Sequence, residues 1–267
     1  MEEKGTPVNQ SAEKLLLIIE YLAQARTPKR LLDISSDLKI NKSTLLRFLL
    51  TLQNHGYVAQ DEYTARYSLT YKICTIASRV KDSIDIRELC TPAMHKISAA
   101  FGESVSLAIE QNQKAVYIEI VEGPELMLRT MQRIGKVAPL YCTGIGKLFL
   151  LNFSDKELEE YAAKEKMTKF TENTITDLEA LKAELARVRE DGYAFDNEEC
   201  EIGARCIAMP IRDVTGRVIA GISATGPTMR MTDAHIQENL PVITRATQEL
   251  SQRMGYQPDH DLGEAGK

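Results

Sequence analysis

Apolar positions recur at helical spacing three times in the first part of the chain. Leu15, Ile18, Ile19 and Leu22 form one stripe of a helix opened by Ser11 and closed by Thr27-Pro28. Leu31, Ile34 and Leu38 mark a shorter helix, in which Ser35 is small enough for a close crossing. Lys39-Ile40-Asn41 is then a tight connection. The third helix has its ends written in the sequence: Asn41 can cap the first turn, and Gly56 stands where a left-handed residue ends a helix. Within it Leu45, Phe48, Leu49 and Leu52 follow the i, i+3, i+4, i+7 spacing and are expected to bury together. Lys42, Ser43, Thr44 and Arg47 gather at the helix start or on the other face, an arrangement suited to entering a DNA major groove. After Gly56 the texture changes. Tyr57-Val-Ala59 and Arg66-Tyr67-Ser-Leu69 read as two short strands around the polar tip Asp61-Glu-Tyr-Thr-Ala65, so the pattern predicts a winged helix-turn-helix.

Residues 1–10 carry no apolar period, and Tyr71 to Lys81 reads as a single linker helix with Ile73, Ile76, Ala77 and Val80 on one side. A further helix over Ile86 to Phe101 stops at Gly102. Alternation then begins with Val105, Leu107 and Ile109, and a turn at Gln111 to Lys114 leads into Val116 to Val121. Leu126, Leu128 and Thr130 suggest a third strand. Ser154-x-x-Glu157 and Thr176-x-x-Glu179 are capping boxes that each open a helix, the second ending at Gly192. Tyr193-Ala-Phe195, Cys206 to Ile211 and Val218 to Thr225 are expected strands, with a turn at Asp213-Val-Thr-Gly216, and a long helix runs from about Thr232 to Met254. This order predicts an α+β fold with one antiparallel sheet covered by helices. The expected division is a tail at 1–10, the winged helix-turn-helix at 11–70, a linker helix at 71–83, a second domain at 84–257 and a tail at 258–267.

The net charge of −5 does not suit a nucleic-acid binder until it is divided. Residues 1–70 hold nine Lys and Arg against eight Asp and Glu, and residues 26–47 hold six against two. The positive field is therefore local, which favours sequence-specific docking over general attraction to DNA. Arg47 can reach a guanine edge and Lys42 a phosphate; Arg66 and Tyr67 of the second wing strand complete the expected contact set. The alternative is a helical packing domain with a solvated basic face. The five cysteines form no C-x-x-C pair, and neither a signal peptide nor a long apolar run is evident, so a reduced, cytoplasmic protein without zinc or another cofactor is expected. Gly144-Ile-Gly-Lys147 lacks the earlier glycine at Tyr141 and the hydroxyl at Leu148 that a nucleotide-cradling loop needs. Cys206 with His235 as base would be the enzyme alternative, but no oriented Cys-His-Asn set accompanies it.

Three separated stretches, taken together, resemble one family. The helix-turn-helix with Lys42-Ser-Thr-Leu-Leu-Arg47, the segment Pro139-Leu-Tyr-Cys-Thr-Gly-Ile-Gly-Lys147 and Asp196-Asn-Glu-Glu-Cys-Glu-Ile-Gly-Ala-Arg-Cys206 look like signatures of IclR-type bacterial transcriptional regulators. Arg47-Phe-Leu, Asp196-Asn-Glu-Glu and Met254-Gly-Tyr256 are most similar to regulators of 2-keto-3-deoxygluconate metabolism. The resemblance implies a winged-helix DNA reader, a linker helix and a GAF-like effector domain, assembled as a dimer or a tetramer of two dimers. A two-fold dimer would read an inverted-repeat operator.

Family effector contacts carry over onto Gly144, Ile145, Asp196, Cys206, Ser223 and Thr225. Thr143 joins them because Thr143-Gly-Ile-Gly146 precedes a helix whose first N–H groups could face a carboxylate. Asp196 can accept from a ligand hydroxyl, Ser223 and Thr225 share one strand face, and Cys206 adds a small wall. Without the resemblance, Gly144 and Gly146 read as turn glycines and Asp196 as a loop cap. The chain departs from the family at Leu32, where a Ser or Thr cap is usual, and at Ile145, where a smaller residue is common. A small hydroxylated keto acid, with repression until it binds, is the expectation; the alternative is an activator or repressor that responds to glyoxylate, pyruvate or an aromatic acid.

Overall fold

The computed structural model describes residues 9–25, 27–83, 85–124 and 133–258. The chain divides into two compact units, one up to residue 84 and the other from residue 85.

The first unit is built from α1 (Gln10–Gln24), β1 (Lys29–Arg30), α2 (Leu31–Asp37), α3 (Lys42–Asn54), β2 (Val58–Gln60), β3 (Arg66–Leu69) and α4 (Lys72–Ser83). Helix α1 begins just before Ser11, because Asn9 and not Ser11 is the cap: its side chain accepts from the N–H groups of Ser11 and Ala12 at 3.0 and 3.2 Å. Ile18 and Leu22 of α1, Ile34 of α2, and Leu45, Leu49 and Leu52 of α3 form one core with Val58 and Tyr67 of the wing. Phe48 is half-buried at its margin. The crossing of α2 and α3 uses Ser35, whose hydroxyl donates to the Ile40 carbonyl at 2.7 Å, while Lys39 takes a left-handed φ of 52° to turn the chain. Gly56, with φ 73°, ends α3 as expected. The two-residue strand β1 is not foreshadowed by the apolar pattern; it pairs Lys29 with Tyr67 and extends the wing to a three-stranded sheet ordered β1-β3-β2.

The second unit holds α5 (Ile86–Phe101), β4 (Ser104–Gln111), β5 (Lys114–Val121), β6 (Val137–Pro139), α6 (Gly144–Leu150), α7 (Asp155–Glu165), α8 (Leu178–Asp191), β7 (Ala194–Asn197), β8 (Ala204–Arg212), β9 (Val218–Pro227) and α9 (Asp233–Arg253). Its six strands form an antiparallel sheet in the order β6-β5-β4-β9-β8-β7. The strand expected at Leu126 to Thr130 lies outside the described residues. The sheet edge beyond β5 is β6, which the alternation pattern misses because it is only three residues long. Ser154 and Glu157 make the full capping box at α7, whereas Asp177, not Thr176, caps α8 by accepting from the Ala180 N–H at 2.9 Å.

Alternation assigns each strand residue to one of two layers. Val105, Leu107, Ile207, Met209, Ile211, Ala220, Ile222 and Ala224 meet buried residues of α5 and α9, including Met94, Ile97, Ile236 and Ile243. On the opposite face Ala108, Tyr117, Ala194 and Ala208 pack with α6, α7 and α8 through Ile145, Leu148, Phe149, Leu158 and Leu185. Ser106, Cys206, Ser223 and Thr225 alternate with the first set and so belong to the second face. The sheet therefore decides which polar residues meet α6.

Candidate functional site

In the first unit the candidate site is the outer face of α3. The Asn41 side-chain oxygen accepts from the Ser43 N–H at 3.0 Å and from the Ser43 hydroxyl at 2.9 Å, fixing the first turn. Lys42, Ser43 and Arg47 are exposed and Thr44 is half-buried. Two further residues share the exposed side: Leu46 and Leu50 keep 39% and 49% of their surface accessible, four positions apart. They fall off the buried stripe of Leu45, Leu49 and Leu52, and that mismatch in a helix otherwise well partitioned is the signal the sequence carries for them.

The wing departs from expectation at Tyr67. This ring is only 3% exposed and belongs to the core under β1 and β3, so Tyr67 is removed from the surface set. Burial also raises its phenol pKa. Arg66 is half-buried, with Nη1 3.5 Å from the Pro28 carbonyl oxygen. The exposed aromatic is Tyr63, at the wing tip, 96% accessible. Asp61 shapes that tip by accepting from the N–H groups of Tyr63 and Thr64 and from the Thr64 hydroxyl.

In the second unit the expected residues converge where α6 meets the sheet. The Tyr161 hydroxyl of α7 accepts from the N–H groups of Leu140 and Tyr141 at 3.1 and 3.2 Å, and so holds the chain entering α6. Gly144 is then pressed onto the sheet: a Cβ there would stand 3.0 Å from Cys206 Sγ and 3.1 Å from Ala208 Cβ. Ile145 packs over Gly221, where an added Cβ would come within 3.0 Å of its Cγ2, so it is a seam residue of the core. The strand registers line up two rows beneath. Asp196, Cys206, Thr225 and Ser104 are successive cross-strand partners, as are Ala194, Ala208, Ser223 and Ser106. Ser106, absent from the expected set, is fully buried, and its hydroxyl has no hydrogen-bond partner among the described residues. Such a group normally has one. The alternation of β4 puts Ser106 on this face, but its pairing with Ser223 is beyond a local pattern.

At the start of α6 three of the first four N–H groups already have partners within the chain. Thr143 Oγ1 accepts from the Gly146 N–H at 3.0 Å and donates to the Pro139 carbonyl, the Lys147 N–H bonds the Thr143 carbonyl, and the Gly144 N–H faces the Cys206 sulfur. Of the first N–H groups of α6, that of Ile145 is the one without a partner among the described residues. Asp196 Oδ1 accepts from the Glu199 and Cys200 N–H groups at 2.8 and 3.4 Å, so it caps its loop as well as facing this layer. Burial raises its pKa despite those bonds.

Behind Asp196 lies a buried ionic cluster. The Lys147 ammonium is fully buried; it donates to Glu184 Oε1 at 3.1 Å, to the Phe195 carbonyl at 2.9 Å and to Glu199 Oε1 at 2.5 Å. Burial works against its charge, but Glu199 and Glu184 more than offset this and raise its pKa. On Glu199 the balance runs the other way: burial outweighs the lysine and pushes the carboxyl up to about 7. The two shifts follow from one geometry, since the lysine has two acids and Glu199 has Oε2 without a partner among the described residues. The Thr171 and Thr174 hydroxyls donate to the Glu198 and Glu199 carbonyls and fix the loop from outside.

The cysteines do not form a nucleophilic site. Burial pushes the Cys206 thiol up to about 12, away from the thiolate. His235 sits on α9, across the sheet, with Nε2 2.9 Å from the Phe101 carbonyl oxygen. Cys142 and Cys200 are thiols with sulfurs 3.3 Å apart. No group of three His, Cys, Asp or Glu among the described residues could hold a metal ion, and no described helix is long and apolar enough to cross a membrane.

Comparison with known proteins accounts for both units. Residues 11–62 match the IclR helix-turn-helix domain, and residues 78–252 match the C-terminal domain of bacterial transcriptional regulators of the IclR type. The chain is 36% identical over 250 residues to the HTH-type transcriptional regulator XynR of Escherichia coli, covering 94% of this chain and 99% of that protein. It is also 36% identical over 246 residues to the HTH-type transcriptional regulator KdgR of the same organism, covering 92% and 93%. The crystal structure of the Thermotoga maritima IclR superposes with a TM-score of 0.61 at 31% identity, covering 92% of this chain and 99% of that one.

Proposed function

The chain belongs to the IclR family of bacterial transcriptional regulators, and from that premise we propose that it is a cytoplasmic repressor released from its operator by a small hydroxylated acid. The first choice of acid is 2-keto-3-deoxygluconate, on the resemblance of Arg47-Phe-Leu, Asp196-Asn-Glu-Glu and Met254-Gly-Tyr256 to regulators of its metabolism. The proposed organisation is a reader at 11–70, a linker helix at 71–83 and an effector domain at 84–257. Arg47 would take a guanine edge, Lys42 a phosphate, and the exposed pair Leu46 and Leu50 the thymine methyl groups of the major groove. One winged helix spans few base pairs, so a two-fold dimer, or a tetramer of two such dimers, would engage an inverted repeat. The linker helix with Ile73, Ile76 and Val80 is the candidate for part of the dimer contact, and Ile76 is 39% exposed.

The observation that carries the effector assignment is the unpartnered hydroxyl of Ser106, fully buried and paired by register with Ser223. A buried hydroxyl without a partner costs free energy, and a ligand hydroxyl would satisfy it. Asp196, Ser223 and Thr225 on the same face extend this into a lining for a polyhydroxylated acid. Binding alone would not make a regulator, because an effector acts only through a difference in affinity between DNA-competent and released states. The test is calorimetry of the intact chain with 2-keto-3-deoxygluconate, glyoxylate, pyruvate and benzoate, followed by operator titration with the best binder. Expected is sugar-acid binding that Ser106→Ala and Asp196→Asn weaken, together with loss of operator affinity. Unchanged binding in both variants would remove this face from the effector site.

A further inference from the structure

A concave surface lies on the other side of the sheet from Ser106 and Asp196. It is an open cleft of about 640 Å³, a size suited to a small-molecule ligand. Its floor is the end of β8, its long wall is the last turns of α9, and its far wall is the chain just beyond α9. That far wall is built in: Gly255, with φ 89°, bridges back to Asp213, and the Tyr256 N–H bonds the Ser251 carbonyl at 2.9 Å. Tyr193 enters from the opposite side, held edge-on by Phe195 with ring centroids 5.3 Å apart. The cleft thus offers two aromatic rings, with Met209 and Leu240 as further apolar surface.

Arg212 is the one cation among the described residues that line it. Nη1 donates to the Gly216 carbonyl at 2.8 Å, and the strand N–H of the same residue donates to the Ser251 hydroxyl at 3.0 Å, so both its backbone and its guanidinium are held. No carboxylate among the described residues forms an ion pair with it, although Asp191 lines the same cleft. Burial lowers its pKa, and the Tyr256 phenol offsets this only in part. The planar guanidinium fork is suited to a carboxylate, which it can bind through two parallel N–H···O bonds. From this geometry we propose that the cleft binds a small aromatic carboxylate, its carboxylate on Arg212 and its ring between Tyr193 and Tyr256. This second ligand site is independent of the effector assignment above, because the two sets of residues occupy opposite faces of the sheet.

Benzoate is the probe, with benzyl alcohol as the neutral ligand of similar shape, each titrated against the intact chain by calorimetry. Benzoate is expected to bind and benzyl alcohol to bind at least about tenfold more weakly, the loss of one charge-assisted contact. Arg212→Gln should weaken benzoate by a similar factor and Arg212→Lys by less. Since Arg212 also bonds the Gly216 carbonyl, a second variant guards against misfolding: Gln248→Glu places a carboxylate in the cleft from an exposed position on α9 and should repel benzoate with the melting temperature unchanged. Ser106→Ala should leave benzoate binding as it was. No benzoate binding, equal binding of the two probes, or binding that Ser106→Ala abolishes while Arg212→Gln and Gln248→Glu spare it would each overturn the proposal.

Discussion

Replacing Lys147 by methionine keeps much of the side-chain volume and removes the cation at the centre of a fully buried cluster. Breaking a buried ion pair from one side costs roughly 3–5 kcal/mol, because the remaining charge stays desolvated. Here the two acids are not equal. Glu184 retains Arg187, whose Nη2 bonds its other oxygen, so its charge stays compensated. Glu199 has only Lys147 on Oε1 and, among the described residues, nothing on Oε2, and therefore bears the loss. This argues for the lower end, about 3 kcal/mol, or a drop of roughly 6–12 °C in melting temperature for a unit of this size.

The penalty must also depend on pH, with a definite sign. The folded pKa of Glu199, about 7, lies above its ordinary value of 4.5. Its contribution to stability is therefore fully present below 4.5 and is lost as pH rises through about 7. Without Lys147, which pulls that pKa down, the folded carboxyl titrates higher still. Lys147→Met should cost little near about pH 5, where Glu199 can be protonated, and its full amount near about pH 8. Urea unfolding at both pH values measures this, and adding Glu199→Gln to Lys147→Met should recover most of the loss at the higher pH. A penalty that is the same at both pH values, or a double variant no more stable than the single one, would refute the account of Glu199 as the uncompensated charge.

Gly144→Ala places a methyl 3.0 Å from Cys206 Sγ and 3.1 Å from Ala208 Cβ, and should lift α6 from the sheet at a cost of about 1–3 kcal/mol, readable in urea unfolding. Tyr67→Ala should destabilise the first unit by roughly 3–5 kcal/mol, as a large ring lost from a core does, whereas Tyr63→Ala at the wing tip should stay within about 0.5 kcal/mol; comparable losses in thermal melts would contradict the burial of Tyr67. Arg47→Ala should cost about 1–3 kcal/mol of operator binding and relax base preference, while Lys42→Ala should weaken all DNA sequences alike and flatten the salt dependence by about one unit of slope; gel shifts across salt concentrations separate the two.

The amino-acid sequence by itself determines the local grammar of this protein. The ends of α3 at Asn41 and Gly56, its buried Leu45, Leu49 and Leu52, the capping box at Ser154 and the alternation of β8 and β9 all depend on residues within a few positions of one another. Side-chain spacing and backbone hydrogen bonds of the first turn determine them. Even Asp196, Cys206, Ser223 and Thr225 can be placed on faces from the sequence, because a strand turns each successive side chain over. What the tertiary structure alone decides is register and burial across long separations. β1 exists because Lys29 pairs with Tyr67, and the same packing takes that ring away from the surface. Ser106 meets Ser223 only when β4 settles beside β9, more than a hundred residues later in the chain. Lys147, an ordinary helix lysine in the sequence, is fully buried because α8 and the loop after β7 bring Glu184 and Glu199 to it. At the start of α6 the Thr143 cap on the Gly146 N–H is local, whereas the Cys206 sulfur meets the Gly144 N–H only because α6 packs on the sheet. Periodicity specifies which face a residue occupies, but the partner it meets there is set by how the layers close, and that is a property of the whole fold.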